Sequence, residues 1–540
     1  MTFLRAVDEA DTRRLEEIGK RWLDESCQLF PEQASRLGFR AFEGELSENS
    51  PETHRKHIDL NRVTLAAVEA LPESAFRGDA WLDRRGFLSR LRTEIFYSAD
   101  LERWRTNPQS HCDAAVDSIF DLLVRSASRP AKALPAIESR LAKIPGFLAA
   151  GAECIRRPVP LWTDLAERAC AGSVEFLQGL ESELSRVSPH PKKTISLLRS
   201  AGRAFEEYAR TIRRKRPGLP GSFAIGRERF EFLIRERLGL SLSLPEAIAA
   251  GERLIARHEY LLESAAARIG KKPARELIEA AASKWSPGAA LLDVYKTTSD
   301  RLRSALATAD IVSLPEGESL KVMAVPPFLR HQFPTAAYSA PPPFSRNQQG
   351  IFWVNDLGGG QSDAETRQHF GLELTSVHEG YPGHHLQFVV QYRHPSRLRR
   401  LFEHSIFYEG WTMWCEKMAV ERKLVDFPHA QLIQIHDALW RAHRIVIDCG
   451  LQSGALTPAA AAKRLQKGVG FTAARAAGDV NWYTAAPTVP MSYLLGRIEL
   501  EKLHRYFTTS EGWTLRQFND WALSHGALPW SWIWQARLER

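Results

Sequence analysis

Residues Thr375 to Gln387 read "TSVHEGYPGHHLQ", three histidines and a glutamate within eight residues, with Pro-Gly between them. A zinc hydrolase helix ordinarily spells H-E-x-x-H, its two histidines four residues apart. Here the next histidines come six and seven residues after His378. On an unbroken helix each residue turns about 100° and rises about 1.5 Å, so the sixth residue faces away and the seventh lies about 10.5 Å along the axis. Zinc–nitrogen bonds of about 2.0–2.1 Å require ligand atoms only a few ångströms apart. A regular helix and a shared ion therefore exclude each other in this stretch. Pro382 lacks an N–H and clashes with the preceding turn, and Gly383 tolerates unusual dihedrals. A break between Gly380 and Gly383 is expected, and it can absorb the extra residues.

Two histidines do not complete a metal site. The segment "HSIFYEGWTMWCEKMAVE", 404–421, supplies carboxylates: Glu409 and Glu416 are seven residues apart, hence on one helical face, among Phe407, Trp411, Met413, Trp414 and Met418. Carboxylates on so apolar a segment are costly to bury unless paired or bound to metal. The bland alternative is that both point to solvent.

Around this region lies a chain of 540 residues, long enough for two lobes or domains. Its 44% hydrophobic and 25% charged residues are ordinary for a soluble globular protein. No stretch is long and apolar enough to span a bilayer, and the N-terminus reads as a charged amphipathic helix without the apolar run of a secretory signal. A cytoplasmic location is expected. The six cysteines form no C-x-x-C pair, which argues against a disulfide framework or a cysteine zinc site; reduced, mostly buried thiols are expected. The net charge of +8 is spread along the chain, and the run "RRKRPG", 213–218, lacks interleaved aromatics, so neither nucleic acid nor membrane is an expected partner.

Apolar spacing predicts helices over 11–30, 79–105, 113–127, 131–150, 162–187, 192–213, 227–238 and 244–269. "RPGLPGS", 216–222, is the strongest boundary, giving an N-terminal helical lobe over 1–215 and a second lobe over 222–540. Composition shifts between 319 and 356, where "SLKVMAVPPF" and "GIFWVND" are strand-like and a proline-rich stretch separates them. Helical pattern resumes near 365. The expected fold is mainly α with one small β element just upstream of the histidines.

"HEGYPGHHLQ" followed by "FYEGWTMWCE" resembles the bacterial family catalogued as domain of unknown function 885, whose signature is H-E-x-x-P-G-H-H-x-Q and then E-G-W. The likeness extends to "FPEQASRLGF" (30–39), "YSAPPPFSRNQQGIFWVND" (338–356), "RAHRIVIDCGL" (441–451) and "YLLGRIE" (493–499). That family is distantly similar to helical zinc peptidases of the thimet oligopeptidase and angiotensin-converting-enzyme type, in which two helical lobes enclose a substrate channel.

The resemblance implies that zinc is held by His378, by one of His384 and His385, and by Glu409. It favours His384, the end of a Gly-His pair, leaving His385 to orient the site or touch substrate. Glu379 would act as general base and Tyr493 would stabilise an oxyanion. Glu416 would accept from a ligand histidine's other N–H. Trp411, Trp482, Gln452 and Arg497 are expected near the ligands or the substrate, and "GIFWVND" is expected to pair with an extended substrate backbone. Where relatives carry a histidine after "DTG" this chain has Gln452, and where they carry Arg-Tyr and Pro-Gly-Gln it has Trp482-Tyr483 and "PTVP", 487–490. Three readings follow: a zinc peptidase of short peptides, a zinc-dependent amide hydrolase or related enzyme of a specialised small molecule, and a non-catalytic peptide-binding protein. Retention of Glu379 speaks against the last.

Overall fold

A computed structural model describes residues 9–126, 130–216, 221–325, 335–356, 363–425 and 427–538. The fold is mainly α-helical, with one three-stranded sheet among the described residues. Internal packing divides the chain into two compact units: Met1–Phe76, Phe87–Phe223 and Pro342–Arg346 form the first, and Arg77–Gly86, Ala224–Pro341 and Asn347–Arg540 the second. Of the Pro-Gly stretch 216–222, residues 217–220 lie outside the described residues.

The first unit is built from the helices Glu9–Leu29, Pro51–Glu69, Pro108–Arg125, Pro130–Cys154, Pro160–Val187 and Pro191–Arg214. Pro51, Pro108, Pro160 and Pro191 each sit in the first helical turn, where a missing N–H is harmless and a fixed φ helps. Ser50 and Asn107 cap two of these starts by accepting from Thr53 N and Gln109 N. The helix Pro51–Glu69 is absent from the sequence expectation because its buried face is largely polar: Thr53, Asn61 and Thr64 accompany Ile58 and Val68. The continuous helix expected over 79–105 instead ends at Ile95 and passes through a π-helical turn, Phe96–Asp100, before a short helix, Arg103–Thr106.

In the second unit the sheet is ordered β1 (Ser319–Ala324), β3 (Gln349–Val354), β2 (Ala336–Ser339), with β1 parallel and β2 antiparallel to the central β3. Residues 326–334 of the expected β region lie outside the described residues. The strand β2 falls within the stretch read from sequence only as proline-stiffened. Pairing of "GIFWVND" with a substrate is ruled out, because β3 spends both edges inside the sheet, and Val325 N on Val354 O (2.8 Å) and Asn355 N on Thr335 O (2.7 Å) continue the two ladders. Beneath the sheet, Phe352 and Val354 pack with Leu291 and Tyr295 of the helix Leu291–Thr308 and with Leu372 of the helix Leu372–Glu379. That packing fixes the start of the histidine stretch against the sheet. No described helix is long and apolar enough to cross a membrane. All six cysteines are buried and free.

Candidate metal centre

The helix Leu372–Glu379 stops at Gly380, and a new helix, His384–Tyr392, starts after Gly383. Regular bonding fails between them: Tyr381 N donates to Ser376 O (3.2 Å) and Gly383 N to Val377 O (3.0 Å), spans of five and six residues instead of four. The Tyr381–Pro382 peptide is cis. A side chain at position 383 would collide with the carbonyl oxygens of Val377 and His378, so only glycine lets the chain fold back this closely. The break returns His384 to His378, with ring centroids 4.9 Å apart.

The helix Ser405–Glu421 closes the site. Its Trp411 donates Nε1 to Pro382 O (2.8 Å), clamping the break from below. One residue earlier in space and sequence, Gly410 meets Gly496 of the helix Val489–Ser510; a Cβ on Gly410 would lie 2.5 Å from the Gly496 carbonyl carbon. This backbone-to-backbone crossing sets Tyr493 close enough to Glu409 for the carboxylate's charge to act on its phenol. Burial and the negative charge of Glu409 together push the Tyr493 phenol well above its usual range, so it stays a donor.

Glu409 Oε2 lies 3.5 Å from His378 Nε2 and 3.6 Å from His384 Nε2, with the three side chains only 10–11% exposed. These separations are too long for good hydrogen bonds, and Glu409 Oε2 and His384 Nδ1 are buried without a hydrogen-bond partner. They do match two ligands of one ion: bonds of about 2.0–2.1 Å in a tetrahedron place ligand atoms about 3.3–3.4 Å apart. One ligand atom from each of His378, His384 and Glu409 falls within 4.8 Å of the others. On this test the donor set fits zinc, and it does so through His384.

Glu416, two helical turns beyond Glu409, accepts from His378 Nδ1 at 2.7 Å, which leaves Nε2 facing the cluster. Burial alone would lower the His378 imidazolium, but Glu409 and Glu416 outweigh it and lift it to about 10. Burial likewise works against the Glu409 carboxylate, yet the attraction of His384 and His378 holds it well below the usual carboxylate range. The same negative charge that binds protons here would bind a cation.

His385 points elsewhere. Fully buried, it donates Nε2 to Glu318 (2.9 Å) and meets the Tyr338 hydroxyl through Nδ1 (3.2 Å). Glu318, just before β1, also accepts from the Tyr381 hydroxyl and from Arg303 Nε (2.7 Å). Against its burial, these donors bring the Glu318 carboxyl down to about 2. Tyr338, on β2, donates its backbone N–H to Glu379 Oε2 at 3.2 Å. Glu318 carries no local sequence signal and Tyr338 only that of a quoted motif's first letter; strand order brings both here.

Of the remaining expected residues, Arg497 interacts electrostatically with Glu416, the partner of His378, while Gln452 and Trp482 have other partners. Gln452 is fully buried and donates to the carbonyls of Tyr483 and Thr484 (3.2 and 3.3 Å). Arg497 is buried against His258 Nε2 (3.0 Å) and Glu501 (3.3 Å). Trp482 is 40% exposed, its ring 5.4 Å from the Arg444 guanidinium.

The sequence profile describing a bacterial protein of unknown function, DUF885, matches residues 31–536. Two solved structures share the fold. A candidate lipoprotein of unknown function from Shewanella oneidensis is 19% identical, with a TM-score of 0.77 over 97% of this chain and 99% of its own. A candidate lipoprotein from Colwellia psychrerythraea is 16% identical, with a TM-score of 0.73 over 97% of this chain and 98% of its own. No curated protein matches the chain.

Proposed function

The chain belongs to the DUF885 family of bacterial proteins of unknown function, and on that footing we propose that it is a zinc-dependent hydrolase cleaving amide bonds of short peptides. The observation that carries this reading is the buried triangle of His378, His384 and Glu409, with Glu379 next to the first ligand. Zinc held there would lower the pKa of a bound water toward neutrality and polarise a substrate carbonyl.

The chain's own groups supply the rest. Glu379 takes the proton from the attacking water and passes it to the leaving amine, oriented by the Tyr338 N–H on its Oε2. Glu416 fixes the His378 tautomer. Tyr493, kept protonated beside Glu409, turns its hydroxyl toward the developing oxyanion. An extended substrate finds its sheet partner on the edge strand β2, which carries Tyr338, and not on β3. A second reading, amide hydrolysis of a specialised small molecule, is favoured by the rings of Trp440, Trp482 and Tyr483 gathered about Arg444.

Metal analysis of the purified protein, followed by mass spectrometry of a mixed peptide pool with and without chelator, tests the proposal. Close to one zinc per chain and chelator-sensitive cleavage are expected. Cleavage untouched by full metal removal would overturn it.

A further inference from the structure

The helix Ala430–Ser453 carries Arg441 and Arg444 one turn apart, 8% and 5% exposed. Arg444 lies among aromatic rings, its guanidinium carbon 4.0 Å from the Trp440 centroid, 4.7 Å from that of Tyr493, and 5.3 and 5.4 Å from those of Tyr483 and Trp482. Its Nε donates to the Tyr483 hydroxyl (2.8 Å), which in turn donates to Asp479 (2.7 Å), while Nη2 stands 3.9 Å from Asp479. Nη1 is buried with no hydrogen-bond partner. Arg441 stacks on the same Trp440 at 3.9 Å, with Asp437 3.6 Å from its Nη1, and its Nε is likewise buried without a partner. Arg475 faces both carboxylates and both arginines. Three guanidinium groups thus share two carboxylates, leaving one positive charge in excess and two buried N–H donors unused.

Buried, charged N–H groups left without an acceptor are costly, and a carboxylate is the acceptor whose two oxygens suit guanidinium forks. A guanidinium's N–H groups lie in its own plane, so rings gathered about Arg444 leave its edge to hydrogen-bond such a group. Tyr493 joins this pair to the metal triangle, its ring 4.7 Å from the Arg444 guanidinium and its phenol under the charge of Glu409. About three extended residues span roughly 10 Å, the scale of one tyrosine side chain lying between the guanidinium and Glu409.

We propose that Arg441 and Arg444 form an anion subsite that seats a substrate carboxylate within about three residues of the scissile bond. This rests on the hydrolase reading and sharpens it: the substrates are short acidic or free-carboxylate amides, cut near the end that bears the charge. The carboxylate belongs to the substrate's C-terminus or to an acidic side chain.

Binding tests the subsite without turnover. Calorimetry on full-length Glu379→Gln protein, zinc-loaded and chelator-treated, would compare an N-acetylated tripeptide ending in a free carboxylate, the same tripeptide ending in a carboxamide, and an amidated tripeptide with a glutamate side chain. At least one carboxylate-bearing probe is expected to bind about tenfold tighter or more than the neutral one; which one does so identifies the source of the charge. Adding Arg444→Gln should bring the acid down to the carboxamide's affinity, and Arg441→Gln should reduce the preference. Should Arg444→Gln not fold, Arg441→Gln and the acid-to-carboxamide ratio decide. Equal binding of charged and neutral probes, or a preference that survives both substitutions, overturns the subsite. A retained acid preference, together with wild-type protein that neither holds zinc nor cleaves, would refute the hydrolase reading and leave the subsite standing.

Discussion

His378 and Glu416, far apart in sequence, share a 2.7 Å hydrogen bond through Nδ1 and Oε1. That bond decides which nitrogen of His378 faces Glu409 and His384. Replacing Glu416 by Gln keeps the shape but removes the charge that holds the tautomer. Zinc affinity, measured by competition with a chromophoric chelator, should fall about 10-fold to 100-fold. Unchanged affinity would detach Glu416 from the centre.

The adjacent histidines should separate cleanly. His384→Ala should lose zinc, since three protein ligands are the minimum for such a site. His385→Ala should keep zinc and lose stability by about 1–3 kcal/mol, because Glu318 stays buried with one donor fewer. Metal content and thermal unfolding of the two variants check this together, and zinc loss confined to the His385 variant would reverse the assignment.

Glu318 predicts a pH signature. Its carboxyl is held at about 2 in the folded chain, against an ordinary 4.5. A depressed carboxyl contributes stability that is complete above the unfolded value and is lost as the pH falls through the folded one. Glu318→Gln should therefore be less stable than wild type at pH 7, with the gap narrowing as the pH drops from 4.5 toward 2. Urea unfolding over that range measures it, and a gap that stays constant would contradict the network.

The crossing of Gly410 and Gly496 should tolerate no side chain. Gly496→Ala would drive a methyl into the Ile406 carbonyl and part Glu409 from Tyr493. A loss of about 1–3 kcal/mol in stability is expected, with weaker zinc binding in the same titration. A variant matching wild type in both would mean the two helices can separate freely.

The break at Pro382-Gly383 was legible because helix geometry is arithmetic, whereas His378, His384 and Glu409 were named as a set by the family resemblance. Six residues plus Pro-Gly demanded a break, and seven residues put Glu409 and Glu416 on one face. Gly383 and Trp411, visible as motif letters, gain their reasons only in three dimensions, as the close approach to Val377 and His378 and the clamp on Pro382. Glu318 and Tyr338 were not legible, since their meeting with His385 depends on strand order and on which edges β3 uses. The role imagined for β3 failed for the same reason: strand propensity says nothing about neighbours. The helix Pro51–Glu69 escaped notice because apolar periodicity cannot register a buried face made of threonine and asparagine. Arg441 and Arg444 stood inside a quoted motif, yet their unused donors appear only once Trp440, Tyr483 and Tyr493 close around them.

Glu379 bears the central claim, that this metal centre performs hydrolysis. The decisive measurement is turnover of a cleaved peptide by wild-type and Glu379→Gln protein, with zinc determined in the same samples. Glutamine fills the site and leaves the ligands untouched but accepts no proton. Both proteins should hold close to one zinc per chain, while kcat falls by about 10²-fold or more and KM changes little. A Glu379→Gln protein as active as wild type at equal zinc content would contradict the account.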